Sequence, residues 1–190
     1  MTLKKSNSKS PDTEHKIDSK TIFNGQIIDV KVDQVVLPNG NQATREIVAH
    51  SPAVVIVPVD SQGNLIMVSQ FRYAVDLQML EFPAGGLDKG ETPEECAQRE
   101  LREETGYGSA NLLSIGGFWS APGFLTEYLH AFLALDLYKS KLEPDDDELI
   151  TTCEFPLGTV KSMITRGEIQ DSKTIAALYL AMTNYDFSSL

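Results

Sequence analysis

From Arg99 to Gly106 the chain reads Arg-Glu-Leu-Arg-Glu-Glu-Thr-Gly. Glu100, Glu103 and Glu104 are three and four residues apart, so a helix through this stretch presents all three carboxylates on one face. Like charges at that spacing repel, and they fall in the last turn, where the backbone dipole favours cations. Two readings account for such a face. It is screened by water, or it holds a divalent cation, for which carboxylate oxygens are suitable hard ligands. Arg99, four residues before Glu103, is placed to hold that carboxylate. Upstream, Pro83-Ala84-Gly85-Gly86 reads as a tight bend able to bring a backbone carbonyl to the helix.

The helix that must position these groups is well marked. Thr92 is an N-cap, Pro93 opens the first turn, Glu95 completes a capping box and Gly106 closes the C-terminus. Ala97 and Leu101 are spaced to face a core. Strand-like runs surround it: 25–38 and 43–49 about a Pro38-Asn39-Gly40-Asn41 turn, then 53–59, 65–70, 79–82, 112–117, 127–137 and 149–155. Helices are expected at 158–166 and 172–182. This pattern predicts an α/β (α+β) fold, a sandwich of mixed β-sheets and helices. Residues 1–18 read as a disordered tail, 19–50 as a small N-terminal β-subdomain and 51–190 as the main domain.

The chain has 190 residues and a net charge of −11, with no basic face, so a nucleic-acid partner is not expected. An acidic protein that handles phosphates needs cations to screen the encounter. No apolar run is long enough to span a bilayer and no secretory h-region follows Met1, so no membrane association and a cytoplasmic location are expected. Cys96 and Cys153 match no metal or redox spacing and read as two buried thiols in a reducing compartment.

Gly85, five residues, Glu91, seven residues, then Arg99-Glu100-Leu101-Arg102-Glu103-Glu104-Thr105-Gly106-Tyr107 resembles the Nudix box, G-x5-E-x7-R-E-U-x-E-E-x-G-U. Only Tyr107 departs, standing where an aliphatic residue is commoner. The resemblance implies a Nudix-type α/β/α sandwich and Mg²⁺-dependent hydrolysis of a nucleoside diphosphate linked to a second group, with Mn²⁺ as a substitute. It further implies that Glu100 and Glu104 are the main metal ligands, with Glu103 a further ligand or a bridge through water and the Ala84 carbonyl completing the site. Arg99 would orient Glu103, and Glu91 would be structural.

Four flanking segments resemble the ADP-ribose pyrophosphatase branch of that family. They are Glu81-Phe-Pro-Ala-Gly-Gly86, Gln70-Phe-Arg-Tyr73, the loop Ser120-Ala-Pro-Gly-Phe-Leu-Thr-Glu127 with Pro122 fifteen residues after Tyr107, and Gly167 to Ala177. Arg45-Glu46 also fits. The resemblance implies that Phe23, Arg45, Glu46, Arg72, Glu81, Gly86, Pro122, Gly123 and Glu127 contact substrate. On residue chemistry alone each has a second reading. Arg72 suits a phosphate or an ion pair with Glu81 or Asp76, and Arg45 is equally divided. Pro122-Gly123 allows backbone to approach a sugar or is an ordinary turn. Glu127 suits ribose hydroxyls or is a charge at a strand start. Phe23 suits an adenine or a core contact, and Trp119 suits packing better than a base platform.

The acidic segment Asp145 to Glu148 supplies candidates for the carboxylate that positions or deprotonates water. Glu148 is the first choice and Asp146 the second, so the expected catalytic set is Arg99, Glu103, Glu104 and Glu148. The branch also implies a homodimer built through residues 19–50, with ADP-ribose as the small-molecule partner. The alternatives are another Nudix activity, on nucleotide sugars, dinucleotides or oxidised nucleotides, and a sensor that binds without turnover.

Overall fold

The computed structural model describes residues 12–142 and 149–187. In chain order the elements are β1 (His15–Asn24), β2 (Ile28–Val36), β3 (Gln42–His50), β4 (Ala53–Pro58), β5 (Asn64–Arg72), β6 (Leu77–Glu81), β7 (Ala84–Gly86), α1 (Pro93–Thr105), β8 (Tyr107–Trp119), β9 (Tyr128–Lys139), β10 (Ile150–Pro156), α2 (Leu157–Thr165) and α3 (Ser172–Asn184). They form two compact units. The first holds the residues up to His50 together with Ala121–Thr126; the second holds Ser51–Ser120 and Glu127 onward.

In the first unit β1, β2 and β3 make an antiparallel sheet in that order. The hairpin between β2 and β3 turns where expected, with Gly40 at φ 85° and its N–H donating to the Leu37 carbonyl. Strand β1 begins at His15, so residues 15–18 belong to a strand and not to the tail expected over 1–18, while residues 1–11 of that stretch lie outside the described residues. Its apolar residues do not alternate, because Ile17 and Ile22 lie where the register with β2 shifts. Both side chains are exposed, and such bulges blunt a sheet edge. The Ala121–Thr126 segment, read from sequence as part of the main domain, joins this unit through main-chain bonds. Val48 donates to the Phe124 carbonyl and Thr126 donates to the Val48 carbonyl.

The second unit is the mixed α/β sandwich that the sequence predicts. One sheet has the order β7-β4-β9-β8, with β4 and β9 parallel and the other pairs antiparallel; another has the order β10-β5-β6. Every residue of β4 is buried, as its continuous apolar run requires of a strand covered on both faces. Its side chains alternate between two cores. Val54 and Ile56, with Phe132 and Ala134 of β9, pack against Cys96, Ala97 and Leu101 of α1. Ala53, Val55 and Val57 face the other way, toward Leu65, Met67, Val160 of α2 and Ala177, Leu178 and Ala181 of α3. Pro83–Gly86 is not a tight bend. Ala84–Gly86 is a short strand paired with Val55–Ala53, and neither Gly85 nor Gly86 has positive φ. Cys96 is buried as expected, whereas Cys153 on edge strand β10 is only partly covered. Among the described residues no helix is long and apolar enough to cross a membrane.

Candidate active site

Both ends of α1 are fixed by local chemistry. Thr92 Oγ1 accepts from the Glu95 N–H at 3.3 Å and the Glu95 carboxylate accepts from the Thr92 N–H at 2.9 Å. Gly106 takes the left-handed conformation at φ 75°, and its N–H donates to the Arg102 carbonyl. A helix turns about 100° per residue, so Glu100 and Glu104 fall inside the buried arc bounded by Cys96 and Leu101. They are accordingly only 7% and 8% exposed. Glu103 lies at the rim of that arc, more open to solvent.

A glycine in the facing strand makes room for this. A Cβ on Gly85 would stand 2.0 Å from Glu100 Oε1 and 2.1 Å from its carboxyl carbon. The Glu100 carboxylate therefore lies against the bare β7 backbone at Gly85. Gly85 is needed for close approach here and not for a turn, whereas a Cβ on Gly86 would meet open space.

Arg99 gathers the surrounding charges. Its Nε and Nη2 donate to the two oxygens of Glu91 at 2.9 and 3.0 Å, and Nη1 donates to Glu100 Oε1 at 2.7 Å and Glu103 Oε2 at 3.0 Å. Nη2 also reaches the Gly86 carbonyl at 3.1 Å. Hydrogen bonding to Arg99, reinforced by the Asp88 N–H, holds the Glu91 carboxyl at about 2, well below the usual carboxylate range. The same Glu91 contact holds the Arg99 guanidinium even more firmly charged than usual. Burial pushes the Cys96 thiol up, and it donates weakly to the Gly86 carbonyl, so it is no nucleophile.

A second ionic group lies in the same unit. Arg72 Nε and Nη2 donate to Glu81 Oε1 and Oε2 at 2.9 and 2.7 Å. Lys173 Nζ donates to Glu81 Oε2 and lies 3.0 Å from Asp171 Oδ1. Of the two readings of Arg72, the ion pair with Glu81 is therefore formed, but through one edge of the guanidinium only. Glu81 is 1% exposed, so it holds Arg72 and Lys173 instead of offering itself at a surface. Burial alone raises its pKa, yet Arg72 and Lys173 outweigh that and hold the group ionised. The sequence reading named no role for Lys173. The signal was there: a lysine in the first turn of a helix opposes the dipole and so calls for a nearby carboxylate.

The structure divides the remaining candidates between the units. Arg72, Glu81, Ala84, Gly86, Arg99, Glu100, Glu103, Glu104 and Glu127 belong to the second. The Glu127 carbonyl accepts from the Ser120 N–H across the base of the loop. Phe23, Arg45, Glu46, Pro122 and Gly123 belong to the first. Phe23 is exposed and its ring covers Gly25, where a Cβ would meet it at 2.5 Å. Arg45 forms a two-bond ion pair with Glu14, a partner not foreseen. Glu46 is an exposed residue of β3. Glu148 and Asp146 lie outside the described residues.

Whether these residues suit a divalent cation rests on charge and donor type. One guanidinium serves Glu91, Glu100 and Glu103, and Glu104 adds a further buried carboxylate on the same arc. Carboxylate oxygens gathered on one helix face are hard donors of the kind that suit Mg²⁺ or Mn²⁺. Among the described residues no three acidic, His or Cys side chains are gathered tightly enough to close on an ion together. The donor set fits a divalent cation.

Comparison with known proteins agrees with the geometry. The NUDIX domain model matches residues 49–178, and the model of the nucleoside diphosphate sugar hydrolase N-terminal domain matches residues 14–48. The chain belongs to the NUDIX family and is a Nudix hydrolase. An ADP-ribose pyrophosphatase of Bacillus subtilis is 42% identical over 87% of this chain and 90% of its own length. A methanol dehydrogenase activator of Bacillus methanolicus is 37% identical over the same shares. A solved structure described as an ADP compounds hydrolase superposes with a TM-score of 0.83 at 26% identity, covering 93% of this chain and 96% of that one.

Two outcomes follow from the packing. Gly85→Ala must displace the Glu100 carboxylate, so turnover should fall at least about tenfold while thermal unfolding shifts little; unchanged kcat would show that the close approach is dispensable. Glu91 has its folded-state pKa depressed from 4.5 to about 2, so the stability it adds is present above pH 4.5 and lost as the pH falls toward 2. The wild-type advantage over Glu91→Gln in urea midpoint should be constant from pH 7 to about 5 and shrink below that.

Proposed function

We propose that this protein hydrolyses the pyrophosphate bond of ADP-ribose to AMP and ribose 5-phosphate. The observation that carries the proposal is the pair of buried carboxylates, Glu100 and Glu104, set on α1 against the bare backbone of β7. The names of the Bacillus subtilis relative and of the superposed structure support an ADP-linked substrate. Nudix hydrolases generally need a divalent metal, and here Mg²⁺ is the proposed ion. Glu100, Glu103, Glu104 and the Ala84 carbonyl would hold it. When bound it would neutralise phosphate charge and acidify a bound water.

The protein's own groups have distinct tasks. Arg99 keeps Glu103 turned to the metal side. Arg72 offers its uncommitted edge to phosphate oxygens, the geometry in which guanidinium binds anions best. Glu148 accepts the proton of the attacking water. Phe23, Arg45, Glu46, Gly86, Pro122, Gly123 and Glu127 contact the substrate. The proposed assembly is a cytoplasmic homodimer formed through residues 19–50. Exposed Ile22 and Phe23 on β1 support a covered face there.

The test is multiple turnover with Mg²⁺ across ADP-ribose, nucleotide sugars, NADH and diadenosine polyphosphates, with products resolved by chromatography. ADP-ribose should have the highest kcat/KM, and Glu104→Gln or chelation should abolish turnover. A nucleotide sugar or dinucleotide preferred over ADP-ribose would assign another activity of the family, and binding without product would leave a sensor. For the base, Glu148→Gln should lower kcat by about a hundredfold or more with KM little changed. A near-wild-type rate would pass the role to another acid.

A further inference from the structure

We infer that Lys173 is a positioning residue whose charge frees the outer edge of Arg72 to bind the diphosphate of the substrate. This rests on the reading of the site as one for a nucleoside diphosphate. Arg72 spends its Nε and Nη2 edge on Glu81, and a guanidinium has further N–H donors on its Nη1 side. The side chain of Arg72 is 38% exposed while that of Glu81 is 2% exposed. The inner edge is thus buried on the carboxylate and the outer edge is open. Arg72 also feels the negative charges of Glu104 and Asp171.

Arg72, Glu81, Lys173 and Asp171 are two cations and two anions, so their charges cancel. Lys173 contacts both anions. Without it, Glu81 and Asp171 would face a single cation, the local charge would be −1, and the field of Arg72 toward an incoming anion would be cancelled. The same turn of α3 fixes the backbone before β7. Asp171 caps the helix by accepting from the Thr174 N–H, and Thr174 Oγ1 accepts from the buried Phe82 N–H at 2.9 Å while donating to Asp171. A first-turn lysine is unfavourable for α3 itself. Its charge is useful only toward Glu81, Asp171 and, through them, Arg72.

Charge and structure can be separated in the full-length protein. Asn caps a helix as well as Asp, so Asp171→Asn removes one negative charge with the cap kept. The variants are K173M, K173R, D171N and K173M/D171N. The readouts are KM and kcat for ADP-ribose with Mg²⁺, and calorimetric affinity for ADP in EDTA. K173M should raise KM and weaken ADP about tenfold, the loss of one charge-assisted contact, with kcat within about threefold. K173R and K173M/D171N should recover most of the loss, and D171N alone should tighten ADP. K173M with wild-type KM and ADP affinity, or a double variant no better than K173M, would overturn the inference. If K173M fails to fold, D171N and K173R decide: D171N that leaves ADP affinity unchanged overturns it. Should wild type leave ADP-ribose intact, the proposed reaction fails while the ADP titrations still judge Lys173; no ADP binding by wild type overturns the inference as well.

Discussion

Placing two carboxylates in the packed arc of a helix is unfavourable unless something repays the lost hydration. In this protein Glu100 and Glu104 occupy that arc between Cys96 and Leu101. The helix can bring them there because its apolar residues dock on Val54, Ile56 and Phe132, and because Gly85 presents no side chain to the Glu100 carboxylate. Arg99 then fixes the pattern. Its donors reach Glu91, Glu100, Glu103 and the Gly86 carbonyl, tying the helix to the strand and loop before it. Glu91 is largely satisfied by Arg99 and the Asp88 N–H, and so serves the arrangement of the others.

The central strand β4 makes this arrangement stiff. Its even-numbered side chains pack under α1 and its odd-numbered ones under α2, α3 and β5. A displacement on one face must be accommodated on the other, since interiors are close-packed. The N-terminal turn of α3 also bonds directly to Glu81 and Phe82, just before β7. The helix carboxylates and the Arg72–Glu81 pair are therefore held from opposite sides of one sheet.

Much of the second unit was legible in sequence. The capping box at Thr92, the glycine stop at Gly106 and the unbroken apolar run of β4 are local signals whose physical meaning hardly depends on context. The first unit was less so. The apolar Ile17 and Ile22 of β1 sit at register shifts, which removes the period-two signal of a strand. The glycines after Pro83 looked like turn residues, yet the chain there is extended and paired, and Gly85 serves instead to let the Glu100 carboxylate come close.

What the sequence by itself determined was the identity and spacing of the charged groups: three glutamates on one helical face, an arginine one turn before Glu103, and a run of residues shared with the NUDIX family. Helical periodicity is local, so it can be read without the rest of the chain. Only the tertiary structure decided which charge met which. Arg99 divides itself among Glu91, Glu100 and Glu103, Arg72 commits one edge to Glu81, and Lys173, from a helix ninety-two residues further along the chain, completes the neutral quartet. Such pairings depend on elements brought together by packing, and spacing along the chain does not encode them.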